Sequence, residues 1–461
     1  MNRGRRKRAG VLLGLLIGGT AIALVPPPAP TVAQPAPRTV RPSDADIDAI
    51  WDLAAIKDAT TLNTEVVAPP SHVTVNGVRL KVFQVMFDSY PDPEAPVRVH
   101  GFVALPVNAE PRSLPAVVFG HGAGGQADEQ LTRTLAALLS AAVISFSGPG
   151  QGRSTGRPST AENWLRTNPI QQSWLYQYAY SAMRAVTYLT TLTEVDPNRI
   201  AMTGVSAGGL MTWIANGVDD RLVAACPIMA TGDWPRALAS GSWFIHFPLG
   251  EARVAPDSPQ ALAFARYLDP LQYAHRQNAP VMLINGAQDE FFPIDTTRST
   301  FEAVEAPDKR LEVIFDWDHG YFATTSILLG TYNNTHRALE RMFGDLAAWF
   351  AAHWGTGKPL PPLPEVQMNQ TQFGTTFVIP AETAPGASRA LLIYSTDRAY
   401  TFRRIPMSRQ RDGSFVVTLV GMLDWSTVVY FVEVQYPNSV FLTSVPVIPT
   451  GFVPRLRPYP Q

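Results

Sequence analysis

The run Gly204-Val205-Ser206-Ala207-Gly208 sets a serine between two glycines, and its flanks indicate the kind of turn it occupies. Ile200-Ala201-Met202 precedes it; Gly209 and then Leu210-Met211-Thr212-Trp213-Ile214 follow. That order reads as strand, sharp turn, helix. Such a turn lifts a serine hydroxyl above the sheet edge and offers the next backbone N–H as an oxyanion donor. Glycines on either side let strand and helix pass closely. The chemistry that suits such a serine is nucleophilic attack on an acyl carbon.

A serine nucleophile needs a base, and the base needs an orienting acid. In a doubly wound sheet both should come from loops at the carboxyl ends of strands. Asp289 follows the apolar run Val281 to Asn285, and His319 follows Leu311 to Phe315. The chain order Ser206, Asp289, His319 is the one expected of a nucleophile-elbow hydrolase. Asp295, Asp316 and Asp318 are rivals for the acid. The other histidines fit structural roles better. His72 and His100 fall in N-terminal strands, His246 and His275 in a long connection, and His336 and His353 in a closing helical region. His121 belongs to the loop His121-Gly122-Ala123-Gly124-Gly125 and would brace it. An oxyanion needs two N–H donors. Ala207 supplies one, and Ala123, with Gly122 second, the other. Gly148 to Gly156 is a further glycine-rich loop. It lacks the lysine and spacing of a phosphate-binding loop, so it reads as a loop beside the site. Neither HExxH nor paired Cys/His spacing occurs, so no metal and no cofactor is implied.

These residues require a frame of α/β class. Ala116 to Phe119, Ala142 to Phe146, Leu222 to Met229, Val281 to Asn285 and Leu311 to Phe315 are continuous apolar runs. Helix-like stretches such as Leu131 to Leu139 and Trp174 to Leu192 separate them. Buried strands alternating with helices imply a mostly parallel sheet covered on both faces. Ahead of it, Val73 to Val75, Leu80 to Phe87 and Val97 to Leu105 alternate as antiparallel strands, with Asn76-Gly77 as a tight turn. Residues 44–57 read as a short helix capped by Ser43.

The hydrolase domain is expected over 71–357. Residues 231–279 are long for one connection and read as a cap insertion, with Trp234, Trp243 and Phe244 as candidate substrate-pocket residues. The bland alternative is a helix pair packed away from the site. Residues 34–70 hold a Pro-rich tether and the N-terminal helix, and 358–365 a Pro-rich linker. From 366 to 461 the period falls to two. Five strands are expected there, Thr375–Ile379, Ala390–Tyr394, Phe415–Leu419, Val428–Tyr436 and Phe441–Val447, forming a small β-sandwich.

Residues 1–33 carry Arg3, Arg5, Arg6, Lys7 and Arg8, then the apolar core Ala9 to Val25, then Thr31-Val32-Ala33 ahead of Gln34. This is the pattern of a secretory signal peptide and implies a secreted or periplasmic protein. The rival is an uncleaved N-terminal membrane anchor, for which 17 apolar residues are at the short limit. Without this segment, 32 basic residues face 38 acidic ones. No basic stripe remains, which argues against nucleic-acid binding. Cys226 is the only cysteine, so no intrachain disulfide can form, and its apolar surroundings suit a buried thiol.

Residues 97–355 resemble the α/β-hydrolase superfamily, in its acetyl-xylan esterase, dienelactone hydrolase and prolyl oligopeptidase-like branch. The resemblance rests on His121-Gly122, Gly152-Arg153-Ser154, Asp196 to Ile200, Gly204 to Gly209, Gly286 to Pro293 and His319-Gly320. It implies Ser206 as nucleophile, Asp289 as acid and His319 as base. The stretch before the hydrolase region is too short for the β-propeller of oligopeptidases, which weakens that member of the group. The leading expectation is an exported carboxylic ester hydrolase acting on a small-molecule or polymer ester. A serine peptidase, with Glu251, Arg253 or Arg266 holding a peptide terminus, is the alternative. A binding protein with a vestigial site is a third.

Overall fold

The computed structural model describes residues 41–319, 333–421 and 423–459. The expected signal segment, residues 34–40 of the tether and Gly320 lie outside them, as does the side chain of His336.

Chain entry into the main sheet is through a hairpin. β1 (Glu65–Val75) and β2 (Val78–Asp88) pair antiparallel across Asn76 and Gly77, both at positive φ, +50° and +86°. These two residue types tolerate that conformation, and the turn matches the strand twist. β3 (Arg98–Pro106), β4 (Leu114–Gly120), β5 (Ala142–Phe146), β6 (Val195–Val205), β7 (Leu222–Ile228), β8 (Val281–Gly286) and β9 (Lys309–Ile314) complete the sheet, in order β1-β2-β3-β5-β4-β6-β7-β8-β9. From β5 to β9 every pairing is parallel. β5 and β8 are buried along their whole length, as strands covered on both faces must be.

Two expectations need adjustment here. β1 starts at Glu65, well before Val73, and runs through Pro69-Pro70. It is an edge strand with irregular register between Val66 and Ser71, where prolines cost few ladder hydrogen bonds. The single helix of 44–57 is two short helices, Asp44–Asp48 and Leu53–Lys57. Ser43 closes a capping box on the first, and Asp52 caps the second. The helix Trp174–Thr190 anchors this region. Its buried Arg184 donates to the carbonyls of Ala55, Ile56 and Asp58 at 2.9, 3.1 and 2.7 Å.

Between β7 and β8 the chain forms short helices, among them Trp234–Ala239, Trp243–Ile245 and Pro259–Leu268. Beyond the helix Asn333–His353, the last part of the chain forms two antiparallel four-stranded sheets. One is β10-β11-β15-β14: Gln367–Thr371, Gly374–Ile379, Phe415–Val420 and Ser408–Arg409. The other is β13-β12-β16-β17: Arg403–Pro406, Arg389–Ser395, Val429–Tyr436 and Val440–Thr443. An aromatic cluster lies between them. Trp425 meets Phe377, Tyr394 and Tyr430 at ring centroid distances of 4.6, 5.6 and 5.7 Å. Five strands were expected, and eight are present among the described residues. β10, β13 and β14 are polar, exposed edge segments without an apolar alternation to mark them.

Candidate active site

Ser206 stands at the turn from β6 into the helix Ala207–Asn216, at φ +57° and ψ −117°. Glycines surround this strained position because nothing larger fits. A Cβ on Gly204 would sit 2.6 Å from the Gly208 carbonyl, and one on Gly208 would sit 2.2 Å from the Gly120 oxygen. The Ser206 N–H donates to Ile228 O at 2.9 Å, which pins the turn to β7.

The loops after β8 and β9 bring Asp289 and His319 to this serine. Ser206 Oγ lies 2.8 Å from His319 Nε2, and His319 Nδ1 lies 2.8 Å from Asp289 Oδ2. Asp289 is fully buried, and its other oxygen accepts the N–H groups of Phe291 and Phe292 at 2.9 and 2.8 Å. Burial pushes the Asp289 carboxyl up, with His319 and those two donors acting against it. Burial would lower His319. The charge and hydrogen bond of Asp289, then Glu290 and Asp318, outweigh it and leave the imidazole above its ordinary value. The rival carboxylates have other partners: Asp295 accepts from Ser240 at 3.4 Å, and Asp318 pairs with Arg457. Asp316 sits at φ +55° in the turn before the base.

Gly122 abuts Ser206: a Cβ there would lie 3.5 Å from Ser206 Cβ. Ala123 and Ala207 both line the cavity at Ser206, and Ala207 opens its helix with an N–H free of intrahelical bonds. His121 braces this loop. Its Nε2 accepts from Gly148 N at 2.8 Å, which leaves Nδ1 to donate to Gly122 O at 2.7 Å. Burial pushes it down to about 4, so it stays neutral. Tyr178, in the helix Trp174–Thr190, donates to His121 O at 3.0 Å. The glycine-rich loop from Gly148 thus supports the loop His121–Gly125. Elsewhere, His100 meets Gln84, His275 meets Asp44, and His353 lies near Asp308.

The profile of the family described as Acetyl xylan esterase (AXE1) matches residues 36–327. The chain belongs to the acetyl xylan esterase family. Its fold is that of the α/β-hydrolase superfamily. It resembles the acetyl xylan esterase from Paenibacillus sp. R4, with a TM-score of 0.52 and 21% identity over 65% of this chain and 97% of that one. Acetyl xylan esterase 1 from Thermoanaerobacterium sp. JW/SL YS485 is similar, with a TM-score of 0.51 and 16% identity over 65% and 96%. Acetyl esterase Axe7A of Xylanibacter ruminicola is 28% identical over 156 residues, 32% of this chain and 35% of that protein. The chain spans 33% to 40% of the length of this and two other curated relatives that it matches.

In this acetyl xylan esterase family member a cavity of about 510 Å³ opens at Ser206. Leu210 and Met229 line it. Phe244, Phe247 and Glu251, from the connection between β7 and β8, form part of its wall, so that connection reaches the site. Of the three expected pocket aromatics only Phe244 faces the cavity. Trp234 and Trp243 stand behind it. Trp234 stacks on Phe264 at 5.0 Å and bonds Thr231 O, while Trp243 meets Phe291 edge-on at 5.6 Å. Aromatic composition marked the segment, but it could not say which rings face inward. Phe291, Phe292, Trp164 and Tyr459 also line the cavity and were not anticipated. For the first two a signal existed, since they stand two and three residues after the expected acid. For Tyr459 there was none. Among the described residues, no group of His, Cys, Asp and Glu is arranged to hold a metal, and no helix is long and apolar enough to cross a membrane.

Proposed function

We propose that this chain is an exported serine hydrolase that cleaves carboxylic esters, with short acyl groups such as acetyl as its substrates. The observation that carries the reading is the unbroken chain Ser206 Oγ, His319, Asp289, with both links at 2.8 Å beside a glycine-rich loop. His319 takes the proton as Ser206 Oγ attacks the ester carbonyl, and Asp289 holds the imidazole in the required tautomer. The N–H groups of Ala123 and Ala207 receive the oxyanion. His319 then protonates the leaving alcohol, and water releases the acyl group by the reverse sequence. The acetyl preference draws on the family and on the relatives named for acetyl ester cleavage. Export rests on the signal-peptide pattern of residues 1–33.

Turnover of p-nitrophenyl esters from acetate to long acyl chains, beside an aminoacyl p-nitroanilide panel, tests this. Esters should turn over, acetate best, and Ser206→Ala should lower kcat on the order of 10⁶-fold. Ester turnover that survives in Ser206→Ala would overturn the assignment. A second reading, an aminopeptidase, has one feature in its favour: the Glu251 carboxylate in the cavity wall, which could hold a substrate amine. Turnover of anilides alone would select it. Failure of a fluorophosphonate to label Ser206 would leave a vestigial site.

A further inference from the structure

After β17 the chain runs without regular structure back to the catalytic loops. Arg455 N donates to Arg398 O at 2.7 Å, and the Arg455 guanidinium lies 4.2 Å from the Tyr400 ring. Arg457 then makes three hydrogen-bonded links. Its carbonyl accepts from Trp243 Nε1 at 2.8 Å, and its Nη1 reaches Asp318 Oδ2 at 2.6 Å and Glu290 Oε1 at 3.4 Å. Asp318 is next to the base, and Glu290 is next to the acid. Glu290 is fully buried, and its Oε2 accepts the His319 backbone N–H at 3.0 Å. Two buried carboxylates beside a third need a countercharge, and the tail supplies one. Two residues on, Tyr459 stacks on His246 at 4.6 Å and meets Trp243 edge-on at 5.4 Å. Its hydroxyl donates to Glu251 at 3.3 Å, and it lines the cavity of Ser206.

We propose that the tail Arg455–Tyr459 is the substrate-selecting wall of this cavity, with Tyr459 bounding the space for the leaving alcohol and Arg457 anchoring it there. The assignment rests on the ester hydrolase reading. Its geometry follows from the base. His319 delivers the proton to the leaving alcohol, so the alcohol lies on the histidine side. From His319 an aromatic chain leads to the tail: Phe291 at 4.8 Å from the imidazole, Trp243 at 5.6 Å from Phe291, Tyr459 at 5.4 Å from Trp243. Arg457 is thus a positioning residue, acting through the ring two residues beyond it.

The test uses the full chain and its Tyr459→Ala, Arg457→Gln and Arg457→Lys variants. The readout is the ratio of kcat/KM for 1-naphthyl acetate to that for methyl acetate, beside the p-nitrophenyl acyl series. Tyr459→Ala should raise the ratio about tenfold, the effect of removing a pocket wall, with the acyl-length profile unmoved. Arg457→Gln should reproduce the change, and Arg457→Lys should keep the wild-type ratio. An unchanged ratio in Tyr459→Ala, or a shift in the acyl profile alone, overturns the proposal. A loss of folded protein in Arg457→Gln leaves Tyr459→Ala to decide. Titration with a small fluorophosphonate separates the two readings. If wild-type protein is labelled at Ser206 and turns over no ester, the ester hydrolase reading fails. The wall is then read from labelling by fluorophosphonates with small and bulky alkoxy arms. Preferential acceleration of the bulky one in Tyr459→Ala supports it, and equal rates overturn it.

Discussion

At the scale of single residues, His319 has competing influences whose balance is measurable. In the proposed mechanism it must be neutral to accept the serine proton. Asp289, Glu290 and Asp318 face it with carboxyl groups, and Arg457 lies across Asp318 and Glu290. Glu290 is itself pushed up to about 8, by burial first and then by Asp318 and Asp289. Asp289 acts most strongly on the imidazole, followed by Glu290 and Asp318. A raised histidine stays protonated, and hence inactive, to a higher pH. The acid limb of kcat/KM for p-nitrophenyl acetate should therefore fall above the ordinary imidazole value of about 6.5. Asp318→Asn removes one negative charge and should move the limb down. A wild-type limb below about 6, or an upward shift in Asp318→Asn, would contradict this balance. Ser206, Asp289 and His319 could be placed together from the sequence because each follows a continuous apolar run. A strand buried on both faces is a strong signal, and in this fold its carboxyl end is where chemistry collects. Arg457 gave no such signal, since its partners Asp318 and Glu290 are 139 and 167 residues away and lie on loops.

At the scale of elements, the elbow is fitted by steric exclusion. Gly208 faces the backbone of β4 end-on, so an added methyl has no flexible side chain to push aside. Gly208→Ala must separate β4 from the helix Ala207–Asn216, and cores charge about 1–3 kcal/mol or more for such overpacking. We expect a lowered urea midpoint and loss of fluorophosphonate labelling together. Gly122→Ala, whose methyl would make an ordinary contact with Ser206 Cβ, should keep the wild-type midpoint. Equal stability of the two variants would show that the elbow has slack. The same reasoning explains which elements could be read in advance. β5, β8 and the hairpin at Asn76-Gly77 carry their signals locally, in apolar runs and a positive-φ turn. β10 reads Gln-Met-Asn-Gln-Thr and is exposed throughout. It is a strand because β11 offers it an edge, which is a property of its neighbour.

At the scale of the whole molecule, the C-terminal sheets are joined to the hydrolase sheet at its far edge. β9 is the last strand there, and Val313 N donates to Thr443 Oγ1 of β17 at 3.1 Å. Arg341 lies at the centre of this junction. From the helix Asn333–His353 it donates Nε to Glu312 of β9 at 2.7 Å, pairs with Glu433 of β16 at 2.8 Å, and lies 4.3 Å from the Phe441 ring of β17. Burial opposes its charge, but Glu312, Glu433 and Asp345 together raise it. Asp345 accepts the Phe441 N–H at 2.7 Å, and burial and Glu312 push its carboxyl up. One cation therefore compensates acidic groups from the helix and from both sheets. Removing one partner of a buried ionic cluster costs more than the cluster contributes, because the remaining charges stay desolvated. Arg341→Met should destabilise the protein by about 3–5 kcal/mol. Because the cluster spans the junction, wild-type protein should lose ester turnover and the near-ultraviolet signal of the Trp425 cluster in one calorimetric transition, and Arg341→Met should lower that transition as a whole. If the two signals are lost in separate transitions in the wild type, the β-sheets fold as an independent module. The cluster would then be an interface of two stable parts, and Arg341→Met would affect their docking and leave the midpoint of each part in place.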